Sequence, residues 1–238
     1  MSAPATLHLK PHADVAERVL LPGDPGRALA LAQSLLESPM MFNHNRGLWG
    51  YTGRAGDGEP LTIQSTGMGG PSAAIVISEL VDLGAGTLVR VGTCGALEPG
   101  LELGDLLVAT DAIAADGTSR ALGAGARVTP DPELLAALIA TADTRSGTVV
   151  STDLFYDGRP DQERRWMQDG AAAVEMESAT LFALAGIRGV SAATLLLVTD
   201  LLFPARVRIA EDALHDGERR MGETALHALG ARACSGSG

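Results

Sequence analysis

The sequence predicts an α/β fold, in which one domain spanning residues 1–238 has a central mixed β-sheet flanked by helices. Short apolar runs typical of buried strands alternate along the chain with helical segments. Glycine-rich turns follow several of the runs, and no repeat, linker or low-complexity segment marks a domain boundary. In such folds functional residues gather where strands end and helices begin.

The elements follow from this alternation in chain order. Strands are predicted at 19–22, 48–53, 61–65, 87–91, 106–110, 148–151 and 191–198. Helices are predicted at 25–36, 72–83, 132–142, 160–168, 178–187 and 212–229, and a frayed tail at 230–238. Glycine turns after strands are predicted at 23, 67–70 and 92–95.

Composition limits the possible partners. The chain is 46% hydrophobic and carries a formal net charge of −11, so it has no basic surplus for nucleic acid or an acidic membrane. Its two cysteines, Cys94 and Cys234, imply neither a disulfide framework nor a cysteine-based metal site. No segment has the apolar length of a signal peptide core or a membrane span. We therefore expect a cytoplasmic protein without a metal, a membrane or a nucleic-acid partner.

The first helix begins in a way that suits an anion. Asp24 is placed to cap it, with Pro25 at the first helical position, where a missing N–H costs nothing. Arg27 follows in the first turn, where the helix dipole disfavours a cation. Two interpretations remain open: Arg27 pairs with Asp24, or an anion lies between Arg27 and the free N–H groups.

Arg90 is a charge inside the apolar strand at 87–91, which is costly unless the charge is paired. It either forms an ion pair with Glu79 of the preceding helix or, with Thr93, holds an anion beyond the strand. Arg46 lies in the polar turn at 43–47 and by itself fits a solvated surface residue.

Carboxylates appear at two further positions. Glu175 and Glu177 stand at the entrance of an apolar helix, where one is expected to cap the helix. The other is then free to accept two hydrogen bonds from a vicinal diol such as a ribose. Asp200 ends the last apolar strand, and in a partly dry pocket it can serve as a general acid.

These segments together resemble the nucleoside phosphorylase family, whose members share the α/β fold of bacterial purine nucleoside phosphorylases and uridine phosphorylases. The resemblance runs from about His8 to Leu229. Its motifs are Pro22-Gly-Asp-Pro-Gly-Arg27, Asn45-Arg-Gly47, Ser65-Thr-Gly-Met-Gly-Gly-Pro-Ser72, Arg90-Val-Gly-Thr-Cys-Gly95, Asp153-Leu-Phe-Tyr156, Val174-Glu-Met-Glu177 and Thr199-Asp200.

The resemblance implies phosphorolysis of nucleosides, with inorganic phosphate as co-substrate and no cofactor. It implies that dimers assemble into hexamers and that sites are shared between subunits. Phosphate binding is implied for Gly23, Arg27, Arg90 and Thr93, together with Arg46 from a neighbouring subunit. Nucleoside binding is implied for Glu175, Met176, Glu177, Phe155 and, across the subunit interface, His8, whose spacing fits better than that of His12. Asp200 would donate a proton to N7 of a departing purine.

The resemblance favours a purine over uracil as the base, because pyrimidine-specific relatives generally lack an acid at the position of Asp200. Uridine phosphorylases bind uracil with a Gln-x-Arg pair shortly after the Phe-Tyr motif. In this chain Gln162 and Arg164 lie several residues further from that motif, and they fit a solvated helix face. Many purine enzymes have an arginine that assists the acid where this chain has Ala213.

Several alternatives remain open. Arg206 or Arg208 is a possible substitute for the arginine that Ala213 replaces. Preference between 6-oxo and 6-amino purines is also open. A uridine phosphorylase is the main alternative function. A nucleosidase, which uses water in place of phosphate, is less favoured because it would not need Arg27, Arg46 and Arg90. A protein that only binds nucleosides is less favoured because Glu177 and Asp200 are both present.

Overall fold

The structure is a computed structural model that describes residues 6–141 and 143–235. Its strands are β1 (Arg18–Leu21), β2 (Leu36–Asn43), β3 (Gly50–Ala55), β4 (Pro60–Gln64), β5 (Thr87–Ala96), β6 (Leu106–Ala114), β7 (Arg127–Val128), β8 (Thr144–Ser151), β9 (Ala171–Glu175), β10 (Ser191–Leu201) and β11 (Val207–Arg208). Its helices are α1 (Pro25–Leu35), α2 (Gly70–Asp82), α3 (Gly117–Ala121), α4 (Pro132–Ile139), α5 (Gln162–Gln168), α6 (Ser178–Arg188) and α7 (Glu211–Ser235).

The strands form one mixed sheet, part of which closes on itself, so the predicted fold class is confirmed. Strands β5, β10, β6, β8 and β9 are hydrogen-bonded in a ring, because β9 pairs back to β5. From β5 the sheet continues through β1, β4 and β3 to the edge strand β2. The pairs β1–β5, β5–β10 and β6–β8 are parallel, whereas β2–β3, β3–β4 and β6–β10 are antiparallel.

Helices cover both faces of this sheet. Apolar side chains of α1, α4 and α7 pack on one face, and those of α2 and α6 pack on the other. Strand β10 contributes to both cores: Leu195 and Leu197 point into the first, and Leu196 and Val198 into the second. A strand buried on both faces reads as a continuous apolar run, which is why its sequence predicts a strand without polar alternation.

Strand β10 also contains a bulge close to its end. It pairs with β5 residue for residue up to Val198 opposite Cys94, and the next pair is Asp200 opposite Gly95. Thr199 is therefore an extra residue with no partner across the pair. The bulge sets the register of Asp200 against β5.

The structure corrects two predicted boundaries that concern the site. Gly92–Gly95 is predicted as a turn, but β5 continues to Ala96 because β10 and β9 both pair with it there. Thr199 and Asp200 are predicted at a strand end, but β10 runs on to Leu201, where β11 pairs with it.

Other differences lie at the ends of elements and in short elements. Elements α3, β7, β9 and β11 are absent from the sequence prediction. Helix α7 extends to Ser235, beyond the predicted end at Leu229, and residues 236–238 of the predicted frayed tail lie outside the described residues. Helix α4 ends at Ile139, and residue 142, its predicted end, is also outside them. Within the described ranges, none of the helices combines the length and apolarity needed to cross a membrane.

Candidate active site

A cavity of about 590 Å³ lies where β1, β5, β9 and β10 meet the loops that follow them. Its lining includes two groups of residues, the arginine cluster and the aspartate cluster. The arginine cluster is Gly23, Arg27, Arg90 and Thr93, and the aspartate cluster is Phe155, Asp200 and Arg206. The cavity is also lined by three consecutive residues predicted to bind a nucleoside, Glu175, Met176 and Glu177. Residues far apart in sequence are thus brought to one site, as strand ends in an α/β fold predict.

Arg90 is paired twice inside the arginine cluster. Its Nε donates to Oε2 of Glu175 at 2.9 Å, and its Nη2 lies 2.5 Å from Oε2 of Glu177. The predicted alternative, a pair with Glu79, is wrong. Burial opposes the charge on Arg90, but Glu177 and Glu175 raise its pKa above the ordinary value, so the guanidinium stays charged.

Gly92 gives the Arg90 side chain its space. A Cβ at Gly92 would lie 2.6 Å from Cζ of Arg90, so the guanidinium folds back over the strand only because residue 92 has no side chain. Gly92, predicted as part of a turn, therefore serves close approach within a strand.

The Arg27 side chain is held by Glu218 and not by Asp24, the one carboxylate predicted as its partner. Asp24 caps α1 by accepting the backbone N–H of Arg27 at 2.7 Å, as predicted. The Arg27 side chain instead donates from Nε to Oε1 of Glu218 on α7 at 2.6 Å. Both side chains are largely buried, at 10% and 11% exposure.

The two glutamates before α6 have different roles. Glu175 accepts the backbone N–H groups of Glu177 and Ser178 and the Ser151 hydroxyl, so it is the capping carboxylate. Glu177 lines the cavity and accepts the backbone N–H of Gly69 at 2.5 Å. The prediction that this carboxylate is free is therefore wrong, since Gly69 and Arg90 both contact it. Each oxygen of a carboxylate can nevertheless accept a further hydrogen bond. Burial, reinforced by the charge of Glu175 and opposed by Arg90, raises the pKa of Glu177.

The aspartate cluster is built on Asp200. Its Oδ1 accepts Nε of Arg206 at 3.0 Å, and its Oδ2 is 3.0 Å from Oγ1 of Thr199. The Arg206 guanidinium also lies over the Phe155 ring, 4.9 Å from its centroid. Of the two arginines left open by the sequence, Arg206 contacts the acid, and Arg208 lines the cavity from β11 with an exposed side chain.

Two predicted site residues lie outside the cavity of this chain. His8 is held by Glu79, whose Oε1 is 2.8 Å from its Nδ1, and Asn45 donates to the His8 carbonyl at 2.7 Å. Arg46 is exposed and follows Asn45 in a short turn with a left-handed backbone, at a φ of 59°. His8 and Arg46 therefore lie near each other on one surface.

Glu79 fixes the segment that carries His8. Burial alone would raise its pKa, but hydrogen bonds from the Leu9 and His8 backbones and from the His8 ring hold the pKa below the ordinary value. Its charge thus fastens residues 7–9 to α2. His12, the other candidate, instead stacks on His44 at a centroid distance of 5.1 Å.

The Gln-x-Arg pair of the sequence does not line the cavity, in agreement with its interpretation as a solvated face. Arg164 is 70% exposed, lies 3.8 Å from Asp161 and has the Phe203 ring under its guanidinium. Glu163, which lies between the two residues of the pair, does line the cavity.

Glu218 is a site neighbour that the sequence prediction missed. A signal for it exists: Glu218 continues the buried face of α7 formed by Met221, Ala225 and Leu229, and a buried carboxylate implies a partner. In the described part of the chain, no three His, Cys, Asp or Glu side chains form a group that could hold a metal ion.

Comparison with known proteins gives concordant similarities. Residues 17–232 match the Phosphorylase superfamily. A purine nucleoside phosphorylase DeoD-type from Caldanaerobacter subterraneus subsp. tengcongensis is 38% identical over 207 residues, which are 84% of this chain and 89% of the relative. One from Jannaschia sp. (strain CCS1) is 38% identical over 215 residues, 87% and 89% of the two chains.

Among solved structures, uridine phosphorylase from Vibrio fischeri ES114, complexed with 6-hydroxy-1-naphthoic acid, superposes with a TM-score of 0.81 at 29% identity. The superposition covers 90% of this chain and 91% of that one.

Proposed function

Because the chain belongs to the Phosphorylase superfamily, we propose that it is a purine nucleoside phosphorylase, a pentosyltransferase. It converts a purine ribonucleoside or deoxyribonucleoside and inorganic phosphate reversibly into the free base and the pentose 1-phosphate, and it uses no cofactor. The observation that carries the proposal is that one cavity joins two paired arginines to an aspartate that is itself in contact with an arginine. Relatives of similar length carry the same name.

The arginine cluster binds the phosphate nucleophile. Arg27 and Arg90 each use Nε for a carboxylate, and among the described residues none hydrogen-bonds to Nη1 or Nη2 of Arg27 or to Nη1 of Arg90. We assign these nitrogens, with the hydroxyl and N–H of Thr93 and the backbone at Gly23, as the donors to the oxygens of phosphate.

Glu177 and Met176 hold the sugar between the two clusters. A phosphate oxygen forms a bond to C1′ while the bond from C1′ to the base breaks, and positive charge develops on the sugar. The anionic nucleophile and the Glu177 carboxylate, which accepts the ribose hydroxyls, stabilise that charge.

Asp200 is the general acid, and it donates a proton to N7 of the purine as the base leaves. The proton transfer leaves a carboxylate on Asp200, and the Arg206 guanidinium at 3.0 Å stabilises this product of the transfer. Phe155 packs on the base, under the same guanidinium.

The residues that line the cavity favour a purine over uracil as the base. Gln162 and Arg164, the residues that a uridine phosphorylase would use, do not line it, whereas Asp200 does. The superposed uridine phosphorylase therefore supports the fold and the reaction class, and the purine-specific relatives support the base.

A complete site needs a second copy of the chain. His8 and Arg46 share a surface outside the cavity, next to the exposed apolar side chains of Leu7 and Trp49. In a dimer this surface delivers His8 to the ribose 5′-hydroxyl and Arg46 to the phosphate of the partner. We propose that such dimers build a hexamer and that the enzyme works in cytoplasmic purine salvage.

The test is phosphorolysis of inosine, guanosine, adenosine and uridine, with and without phosphate, by wild type and Asp200→Asn. We expect release of purine bases that depends on phosphate, and a loss of about 100-fold or more in kcat for the variant. The panel also gives the preference between 6-oxo and 6-amino purines.

Each other result contradicts part of the proposal. Cleavage of uridine alone would make the base assignment wrong, and base release without phosphate would indicate a nucleosidase. Binding of nucleosides without turnover would indicate a binding protein. Equal turnover by Asp200→Asn would remove Asp200 as the acid.

A further inference from the structure

Glu218 is a carboxylate on the buried face of α7, where the neighbouring positions are apolar. It is 8% exposed, and it stands one turn before Met221 in a row that continues with Ala225 and Leu229. A carboxylate in such a row is costly to bury unless a cation compensates it. Its cation is Arg27, 191 residues earlier in the chain.

Close packing fixes the place of Glu218. A Cβ at Gly217 would lie 2.7 Å from Cδ1 of Leu197 on β10, and a Cβ at Gly222 would collide with Leu31 on α1. These two glycines let α7 approach both the sheet and the helix that carries Arg27. The backbone next to Glu218 is therefore held against α1 rather than free to slide.

The pair with Glu218 uses Nε of Arg27 and leaves its two terminal nitrogens for another ligand. Glu218 accepts Nε, the nitrogen nearest the side-chain stem, at 2.6 Å. A planar guanidinium held through Nε has a defined orientation, and its Nη1 and Nη2 donors remain for another ligand. In the described chain neither of these donors has a hydrogen-bond partner, and Arg27 lines the cavity.

Two effects of Glu218 on an anion oppose each other. Its negative charge reduces the attraction of Arg27 for phosphate, whereas its hydrogen bond removes rotamer freedom that Arg27 would otherwise lose on binding. The Arg27 side chain is only 10% exposed and is held by Glu218 before any ligand binds. We therefore expect the gain from its fixed orientation to outweigh the loss of attraction caused by the charge of Glu218.

We propose that Glu218 is a positioning residue for phosphate, which orients Arg27 through Nε so that its terminal nitrogens face the nucleophile. This rests on the proposed function, because phosphate is the ligand that Arg27 is proposed to bind. It makes α7, the helix that follows β11, a structural part of the phosphate site.

Two variants separate the hydrogen bond from the charge. Glu218→Gln keeps an oxygen that accepts Nε but removes the charge, and Glu218→Ala removes both. Glu223→Ala is the matched control, because Glu223 lies on the same helix, is 53% exposed and pairs only with Arg219 in the described chain. Initial rates at varied phosphate and saturating inosine give KM for phosphate, and rates at varied inosine give the nucleoside KM.

For Glu218→Ala we expect KM for phosphate to rise about tenfold, a loss of about 1.4 kcal/mol, with the nucleoside KM unchanged. Glu218→Gln and Glu223→Ala should stay within about twofold of wild type, which is less than about 0.5 kcal/mol. An equal rise in both Glu218 variants would overturn orientation through the hydrogen bond. A lower melting temperature for Glu218→Ala with an unchanged phosphate KM would show a purely structural anchor and also overturn the proposal.

A second measurement does not need turnover. Inorganic phosphate should raise the melting temperature of wild type and Glu218→Gln more than that of Glu218→Ala. If wild type neither cleaves nucleosides nor is stabilised by phosphate, the proposed function fails. If wild type phosphorolyses inosine and Glu218→Ala binds phosphate equally well, only the role of Glu218 fails.

Discussion

The arginine cluster and the aspartate cluster line the same cavity, but they are built differently. Arg90 and Arg27 have side chains 6% and 10% exposed, and each is paired with a carboxylate from another element. In the aspartate cluster, Phe155 is 56% exposed and the Arg206 side chain 47%. The first cluster is a buried ion-pair network, and the second is an acid in a strand with its partners on open loops.

The difference fits what each cluster is proposed to recognise. Phosphate is the same in every turnover, so donors that are oriented before it binds cost no reorganisation. The base changes from one nucleoside to the next, and loop residues with exposed side chains adapt to it more easily. The contrast is the one expected between the proposed roles, a preorganised nucleophile site and an adaptable leaving-group site.

Replacing Arg90 tests the contrast most severely. Arg90→Ala leaves Glu175 and Glu177 buried without their cation, so we expect the free energy of unfolding to fall by about 3–5 kcal/mol. Turnover should fall on the order of a thousandfold, because a donor to the nucleophile is lost. Urea unfolding and phosphorolysis rates measure both effects.

The matched control for Arg90→Ala is Arg164→Ala, at an exposed arginine outside the cavity. It should change stability by less than about 0.5 kcal/mol. Similar losses of stability in the two variants would show that the ion pairs of Arg90 contribute no more to stability than an exposed arginine does.

Replacing Arg206 tests the open cluster. Arg206→Ala should lower kcat/KM for inosine about tenfold, because the carboxylate formed on Asp200 loses a charged partner. Its melting temperature should fall by only a few degrees, since the Arg206 side chain is 47% exposed and solvent screens its pairing with the buried Asp200. Arg208→Ala, at an exposed arginine on the same cavity wall, is the control.

A nucleoside methylated at N7 shows how Arg206 acts. Its base leaves without receiving a proton, so the effect of Arg206→Ala should shrink on this substrate if Arg206 works through the acid. An equal loss on both substrates would instead assign Arg206 to binding of the base through Phe155.

The smallest expected effect concerns the pH dependence of stability. Burial raises the pKa of Glu177, so the folded protein keeps a proton at a pH where the unfolded chain has lost it. The contribution of Glu177 is thus present at low pH and is lost as the pH rises through the raised pKa. Glu177→Gln should therefore gain stability relative to wild type with rising pH, by at most about 1.4 kcal/mol per pH unit.

Unfolding in urea from pH 4 to 8 measures this difference, with exposed Glu223→Gln as the control. Parallel stability curves for wild type and Glu177→Gln would show that Glu177 has no shifted proton affinity.

Strong apolar patterns predict the fold well, and weak ones do not. Helices α1, α2 and α6 begin and end within two residues of their predicted bounds. Strand β9 was not predicted, because its Ala171–Glu175 segment is mostly alanine and becomes a strand only through pairing with β8 and β5. Strands of two residues, such as β11, carry no periodicity at all.

The site was predictable where a motif carries a charge into an apolar context. The context of Arg90 in a buried strand and of Arg27 in a first helical turn predicts a partner for each charge, and both residues line the cavity. The pairing of Arg27 was not predictable: the buried face of α7 indicates that Glu218 needs a partner, but the packing of α7 on α1, and not local sequence, selects Arg27. Spacing alone likewise does not say whether Arg206 or Arg208 meets Asp200.

The bulge at Thr199 decides which side chain of β10 stands opposite Gly95. Up to Val198, β10 is locked to β5 pair by pair, and one extra residue then brings Asp200 opposite Gly95. Deleting Thr199 would remove the bulge and place the aspartate directly after Val198, still opposite Gly95, so the carboxylate would keep its face and the strand would lose its local bend. Pairing opposite Gly95 therefore sets the face of the acid, and the extra residue Thr199 sets the bend and twist of the strand that carries it.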